Sequence, residues 1–387
     1  MLNFYERIFM NNITNKISSA TPSVTRRDTL PLLGFGMMRL PESDGKIDRA
    51  AAAVMVEKAM TAGCNYFDTA YMYHGGESES AVAELLGKYP RESYYLTSKM
   101  PTMRLQETAD MERIFNEQLE RTQAGYFDFY LMHTLNTQLW ETAKRLDLYG
   151  FMKEKQAEGK IRHIGFSFHD TPEVLREIAS AYPWEIAQIQ LNYLDWELYR
   201  SREQYEILTE LGIPVAIMEP LKGGSLVNLT PAAKAIFETE APGTSIASWG
   251  LRYAASLPNV KIVLSGMSNQ EQMEDNIRTF SPMEPLKEED YELIGKVLAA
   301  YRKSGAIPCT ACKYCQPCPV GVDIPRNIAL YNQVKAGGHQ FWSKIIYDSL
   351  PEDGRAAACV QCGACLEKCP QKIRIPDAMT EIAGIFK

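Results

Sequence analysis

The sequence predicts an α/β protein in which an eight-stranded (β/α)8 barrel precedes a small, mostly helical domain rich in cysteine. Short apolar runs alternate with longer amphipathic runs eight times between residues 33 and 280. This alternation predicts a parallel sheet covered by helices, and a count of eight favours closure into a TIM barrel. No Gly-x-Gly-x-x-Gly follows an early strand, which counts against an open dinucleotide-binding sheet. Eight of the nine cysteines come after residue 308.

The chain divides into three predicted segments. We predict a flexible leader in residues 1–27 and the barrel in residues 28–285. We predict a helical linker followed by the cysteine-rich domain in residues 286–387. The pair Arg26-Arg27 superficially resembles a twin-arginine export signal. The apolar run after it is interrupted by Pro31 and has no small-residue cleavage site, so we favour a protein that is not exported.

Composition narrows the classes of partner and compartment. The net charge of −7 and the pI of about 5.5 favour neither a nucleic acid nor an anionic membrane. No apolar run approaches the roughly 18 residues of a membrane span. Cysteines at every third residue indicate reduced thiolates rather than a disulfide framework, which favours a cytoplasmic location.

The predicted elements follow one another in strict order. The first helix shows the signals used throughout, since Asp48 caps its start and Gly63 marks its end. The predicted strands span residues 33–40, 65–68, 94–99, 127–133, 161–167, 185–190, 213–218 and 260–264. The predicted helices span residues 48–62, 77–88, 107–123, 141–158, 172–181, 200–211, 244–256 and 269–280.

Four chemically active side chains stand at or just after the ends of three successive predicted strands: Asp68, Tyr73, Lys99 and His133. In a β/α barrel the carboxyl ends of the strands meet on one face, so we expect these side chains to meet. A Lys ammonium beside a Tyr phenol favours the phenolate and lowers its pKa, and a carboxylate keeps the ammonium charged. The alternative is that Lys99 and Asp68 form a structural ion pair, Tyr73 is an ordinary loop residue and His133 an ordinary strand-end residue.

This pattern resembles the aldo/keto reductases, whose catalytic Asp, Tyr, Lys and His occupy these strand ends in this order. The resemblance covers about residues 28 to 285. It implies an NAD(P)H-dependent oxidoreductase that reduces an aldehyde or ketone by hydride transfer, with Tyr73 as general acid. His133 would donate to, or orient, the same carbonyl oxygen.

The same resemblance implies a nicotinamide site on the later strands. Ser167 and Gln188 match residues that hold the nicotinamide carboxamide, and Met218 stands where the family usually stacks an aromatic ring. Phe168 replaces the family's Asn, so only Ser167 carries over from that pair. The further implied contacts are Pro220, Leu221, Gly223, Ser265, Gly266, Ser268, Gln272 and Asn276. Gly266 and Gln272 replace charged residues of some branches, which leaves NADP(H) and NAD(H) both open. Of the other histidines, His74 and His169 are candidates for pocket lining.

The cysteines of the last segment have the spacing of iron–sulfur ligands. They are Cys309, Cys312, Cys315, Cys318, Cys359, Cys362, Cys365 and Cys369. The second run has the Cys-x2-Cys-x2-Cys-x3-Cys-Pro spacing of bacterial ferredoxins, and the first is one residue shorter before its last cysteine. Eight thiolates predict two 4Fe-4S clusters. Zinc is the alternative, but its sites usually separate cysteine pairs by longer loops.

The segment between the two runs reads as helical and resembles helical ferredoxin domains more than the compact β-containing ferredoxin. In two-cluster ferredoxins the fourth cysteine of each run ligates the other cluster. The resemblance therefore implies that Cys369 joins the first three thiolates and Cys318 the second three, although the short first run leaves the assignment open.

The leading hypothesis is a reductase of a small-molecule carbonyl substrate with an attached iron–sulfur domain. One alternative is an electron-transfer protein whose barrel is a scaffold, and another is a nicotinamide-sensing subunit. A redox partner protein is left open. Hydride carries two electrons whereas each cluster accepts one, and no flavin motif is evident, so direct transfer from nicotinamide to a cluster is not expected.

Overall fold

The computed structural model describes residues 30–335 and 340–387. The predicted leader of residues 1–27 lies outside the described residues. Within them, no helix is long and apolar enough to cross a lipid bilayer.

Eight parallel strands close into a barrel in chain order, with the last strand paired to the first. They are β1 (Leu33–Gly36), β2 (Tyr66–Asp68), β3 (Tyr95–Met100), β4 (Phe127–Leu135), β5 (Ile161–Phe168), β6 (Ile186–Gln190), β7 (Val215–Met218) and β8 (Val260–Ser265). Closure occurs where Leu33 of β1 pairs with Val263 of β8. The predicted TIM barrel is confirmed, and all eight strands lie within a few residues of their predicted positions.

The described helices span Arg49–Thr61, Glu77–Leu86, Thr108–Thr122, Thr137–Arg145, Leu148–Ala157, Pro172–Ala181, Asp195–Leu198, Ser201–Glu210, Pro231–Glu240, Ile246–Ala255, Gln270–Thr279, Glu288–Arg302, Ile324–Lys335, Gln340–Ser349 and Ile375–Ile385. One predicted helix, 141–158, is wrong as a single element. It is two helices, because Asp147 adopts a left-handed conformation and caps the second by accepting a bond from the Gly150 N–H. The sequence analysis did not predict the hairpin of Glu42–Ser43 and Lys46–Ile47 or the helices Asp195–Leu198 and Pro231–Glu240.

The barrel strands are buried on both faces, as expected for a parallel sheet covered by helices. Inside the barrel a small cluster packs around Tyr66, Phe129 and Ile262. A much larger cluster fills the space between the strands and the outer helices. This second layer holds the strands in register and thereby fixes where their carboxyl ends lie.

The cysteine-rich region forms a second, smaller core. Ile328 and Tyr331 of the helix Ile324–Lys335 pack with Met379 and Ile382 of the last helix, alongside several of the cysteines. The preceding helix, Glu288–Arg302, packs on the barrel helix Pro231–Glu240, to which Lys296 is joined by an ion pair with Glu240. The linker helix is therefore part of the outer surface of the barrel.

Candidate active site

The four predicted catalytic side chains meet at the carboxyl ends of β2, β3 and β4. Asp68 is the last residue of β2, and Tyr73 lies on the turn that follows it. Lys99 and His133 lie near the ends of β3 and β4. Neighbouring parallel strands bring these ends together, which is why residues separated by about thirty positions in sequence share one site.

The ammonium of Lys99 is the centre of the group. It donates to Asp68 Oδ1 at 2.7 Å, to the Thr69 carbonyl at 2.8 Å and to the Tyr73 hydroxyl at 3.2 Å. The Lys99 side chain is fully buried. Three acceptors therefore surround a charged group that has no access to water, and they hold it against the phenol.

The pKa of Tyr73 differs from the sequence-based expectation. Burial raises this pKa well above its ordinary value, and the charges of Asp68 and Glu219 act in the same direction, while Arg39 opposes them. Burial is the largest of these influences, so the lowering expected from the neighbouring ammonium does not set the direction of this shift. Tyr73 therefore holds its proton at neutral pH.

His133 completes the group. Its ring meets that of Tyr73 edge to face, with centroids 6.0 Å apart. Burial lowers the pKa of His133 well below its ordinary value, and Lys99 and His169 add to the shift. His133 is therefore a neutral imidazole that can present an N–H to a neighbouring oxygen.

A buried polar network behind the site supports Lys99. Ser98 donates to Glu79, and Gln118 donates to both of them and to the backbone carbonyl of Lys99. Sequence reasoning missed Glu79 and Gln118. The sequence could have indicated them, because both polar residues lie on the predicted buried face of a helix, where apolar residues are expected.

A cavity of about 750 Å³ opens from the tetrad across the top of the barrel. Asp68, Tyr73 and His133 line it, while Lys99 lies directly behind Tyr73. All eleven residues implied as coenzyme contacts line it as well: Ser167, Gln188, Met218, Pro220, Leu221, Gly223, Ser265, Gly266, Ser268, Gln272 and Asn276. The residues implied by the family resemblance therefore share one cavity.

The part of the cavity near the tetrad fits a nicotinamide amide. Gln188 Nε2 lies 3.6 Å from Met218 Sδ, so these two predicted contacts are adjacent. The Gln188 Oε1 atom is buried and has no hydrogen-bond partner among the residues that the structure describes. A buried amide oxygen without a donor is costly, and the carboxamide of a nicotinamide would supply one.

The far part of the cavity contains a helix start suited to phosphate. Asn269 caps the helix Gln270–Thr279 by accepting from the Gln272 N–H at 2.9 Å, and the Gln272 side chain accepts from the Ser268 N–H at 2.7 Å. Asn276 donates to Ser265 Oγ at 2.8 Å. Arg278, which sequence reasoning missed, also lines this part.

Lys222 is not available to a phosphate. Its fully buried ammonium donates to Asp195 at 2.6 Å and to Gln371 at 2.7 Å. Of the two histidines proposed as lining, His169 lines the cavity and His74 does not appear there. His74 instead bonds to Glu42 and accepts from the Leu40 N–H.

The thiols of the second domain fall into two groups of four. Burial raises the pKa of Cys315 to about 12, and the thiols of Cys312, Cys309 and Cys369 act in the same direction. Burial also raises the pKa of Cys365, to which Cys359, Cys362 and Cys318 contribute. Cys318 of the first run also lines one small cleft with Cys359, Cys362 and Cys365 of the second, as the exchange implied by the ferredoxin resemblance would require.

The donor set fits iron–sulfur clusters. Among residues 30–335 and 340–387, no three His, Cys, Asp or Glu side chains converge on a point that could hold one metal ion. One 4Fe-4S cubane takes four thiolates, and the eight cysteines supply two such sets.

Comparison with known proteins agrees with this geometry. The model of the aldo/keto reductase family matches residues 32–299, and that of the 4Fe-4S dicluster domain matches residues 308–373. Probable aldo-keto reductase 1 of Glycine max is 27% identical over 201 residues, which are 50% of this chain and only 56% of that protein. L-galactose dehydrogenase of Arabidopsis thaliana is 26% identical over 274 residues, covering 66% of this chain and 85% of that protein.

Among solved structures, the holo form of aldo-keto reductase AKR11C1 from Bacillus halodurans superposes with a TM-score of 0.59 at 24% identity. The superposition covers 69% of this chain and 92% of that one, so it demonstrates the shared fold. The family match spans well over half of the chain and contains the tetrad and most of the residues that line the cavity. The chain therefore belongs to the aldo/keto reductase family, and it is an NAD(P)H-dependent oxidoreductase that carries an iron–sulfur domain of the 4Fe-4S dicluster type.

Proposed function

We propose that the enzyme reduces the carbonyl group of a small aldehyde or ketone, with Tyr73 as the general acid. The observation that carries this proposal is the bond from Lys99 Nζ to the Tyr73 hydroxyl, 3.2 Å long, within a buried group that also contains Asp68 and His133. A carbonyl that accepts hydride becomes an alkoxide and needs a proton at once. Tyr73 holds such a proton at the cavity surface.

The other members have supporting roles. Asp68 accepts a bond from Lys99 and fixes its ammonium beside Tyr73, and Lys99 stabilises the phenolate left after proton transfer. His133, neutral and edge-on to Tyr73, polarises the same carbonyl oxygen through its N–H. Bound NAD(P)H supplies the hydride.

We propose that either coenzyme can serve. Ser167, Gln188 and Met218 would hold the nicotinamide, and the helix start near Ser268 would face the phosphates. Gly266 and Gln272 carry no charge, Lys222 is committed to Asp195, and Arg278 is paired with Asp275 at 3.1 Å. We therefore expect only modest discrimination, about tenfold or less, since one charged hydrogen bond is worth about 1.5–3 kcal/mol.

Tyr73→Phe tests the assignment. It should lower kcat for carbonyl reduction by at least about a hundredfold, because it removes the proton and leaves the ring. Titration should give dissociation constants for NADPH and NADH close to those of the wild type. Tyr71→Phe is the matched control, since Tyr71 lies in the same loop but bonds to Glu117 at 2.8 Å. Comparable turnover by the Tyr73 and Tyr71 variants would refute the role of Tyr73.

We also propose that the eight thiolates hold two 4Fe-4S clusters, because each such cubane takes four thiolates and the thiols form two groups of four. Electron transfer is a second candidate function, favoured by the presence of Cys312 in the same cavity as Tyr73. Loss of visible cluster absorbance on adding NADPH without a carbonyl would support that function over carbonyl reduction.

A further inference from the structure

The first cysteine loop, residues 309–315, lies on the rim of the barrel. Arg39 Nη2 donates to the Thr310 carbonyl at 2.7 Å, and Ser225 Oγ donates to the Cys309 carbonyl at 3.1 Å. A Cβ atom added to Gly223 would come within 2.7 Å of the Thr310 Cα. The iron–sulfur domain is therefore packed directly on the loop that carries the implied coenzyme contacts.

A buried polar network fixes a second part of the domain to the same rim. Gln371, two positions after Cys369, exchanges two side-chain hydrogen bonds of 2.8 Å with Gln190 at the end of β6. Its Oε1 also accepts from Lys222 at 2.7 Å. All three side chains are buried. Polar groups in such a place hold their geometry closely, because breaking one bond leaves an unsatisfied partner.

The two attachments place the cysteine loop inside the active-site cavity. Thr310, Cys312, Tyr314 and Gln371 line it together with three members of the tetrad, Asp68, Tyr73 and His133. Tyr314 of the cysteine loop and Tyr73 of the tetrad therefore border the same cavity.

We propose that the iron–sulfur domain supplies a wall of the substrate pocket and that Tyr314 is a specificity-determining residue; this inference rests on the carbonyl reduction proposed above. A carbonyl oxygen bonded to Tyr73 and His133 leaves the two substituents of the carbonyl carbon directed out of the barrel. Tyr314 lines this cavity from the cysteine loop. Its ring limits the size of a substituent, and its hydroxyl offers one a hydrogen bond.

The test uses full-length, anaerobically reconstituted protein and two probes of different size, methylglyoxal and 4-nitrobenzaldehyde. Tyr314→Ala should change the ratio of kcat/KM between the probes by at least about tenfold, as removal of one pocket contact does elsewhere. The change should lie mainly in KM, because Tyr314 does not donate the reacting proton. Tyr314→Phe separates the effect of the hydroxyl from that of the ring.

Lys313→Ala is the matched control, because Lys313 is the preceding residue of the same loop and is exposed. It should leave the ratio unchanged, and all variants should contain as much iron as the wild type. An unchanged ratio in Tyr314→Ala at full iron content would overturn the role assigned to Tyr314.

A second measurement does not depend on turnover. Saturating NADP+ should slow amide hydrogen exchange in residues 309–316 as well as in residues 265–276, because both segments would border the occupied cavity. Protection confined to residues 265–276 would overturn the shared pocket. If the wild type reduces neither probe while residues 309–316 are protected, the proposed carbonyl reduction fails and the shared pocket stands.

Discussion

At the scale of single residues, the site combines a buried ammonium with a phenol that keeps its proton. Lys99 bonds to Asp68 and Tyr73, yet burial dominates the pKa of Tyr73 and raises it. Protonated Tyr73 is suited to reduction, in which it gives a proton. The reverse reaction needs a phenolate, which the same burial disfavours.

This balance predicts the pH dependence of reduction. A raised pKa keeps the acid form of Tyr73 present to higher pH, and a lowered pKa keeps His133 neutral to lower pH. We expect kcat/KM for carbonyl reduction to stay nearly constant from about pH 7 to about pH 9, below the ordinary tyrosine pKa of about 10. The measurement is a profile of kcat/KM against pH with saturating NADPH. A fall with an apparent pKa near 7 or 8 would mean that the bound coenzyme lowers the pKa of Tyr73 enough to reverse the effect of burial.

At the scale of elements, the strand ends were predictable and the contacts between loops were not. Asp68, Lys99 and His133 follow apolar runs of strand length, so barrel topology alone brings them together. Nothing in the sequence indicated a role for Tyr314 in the pocket, because it lies between two cysteines whose spacing is explained by iron–sulfur binding. Gln371 likewise reads as a polar residue after a cysteine run. Their roles depend on how two regions distant in sequence pack, which periodicity does not encode.

The same limit explains smaller differences. The predicted strand 33–40 ends earlier, at Gly36. The next three residues, Met37–Arg39, form a helical turn, and the Arg39 side chain donates to the Thr310 carbonyl. The predicted helix 141–158 breaks at Asp147 because its side chain caps a new helix. Capping and turn formation depend on single side chains, whereas hydrophobic periodicity averages over many.

The loop after β7 gives a prediction about the docking of the domain. Gly223 has φ of 61° and no room for a Cβ against Thr310, whereas Gly224 has φ of 95° and its nearest neighbour would lie 3.6 Å away. Gly223→Ala should push residues 309–315 off the rim and cost about 1–3 kcal/mol of stability, as overpacking does. Amide exchange in residues 309–315 should accelerate in this variant. Gly224→Ala, which strains the backbone without the clash, should leave that exchange as in the wild type; equal effects of the two variants would remove the argument for tight docking.

At the scale of the whole molecule, the two groups of cysteine thiols lie at different distances from the active-site cavity. The first thiol group includes Cys312, which lines the cavity next to the barrel. The second group surrounds a small apolar cleft that includes Val322 and Met379 and lies within the second domain. Val360 and Leu366, beside this group, are 64% and 41% exposed. The two thiol groups thus occupy different environments, one facing the active site and one facing the surface.

This separation predicts how loss of one cysteine affects metal content. Anaerobically purified protein should be brown and contain about eight irons and about eight acid-labile sulfides per chain, the content of two cubanes. Cys362→Ala removes a ligand of the second group only, so iron should fall to about four per chain. The last helix packs its Met379 against that group, and bound metal supplies much of the folding energy of so small a unit. We therefore expect proteolysis to cut the region after residue 359 sooner in this variant, while the barrel resists. Two zinc ions without labile sulfide in the wild type would contradict the cluster assignment, and retention of all eight irons by Cys362→Ala would contradict the grouping of the thiols.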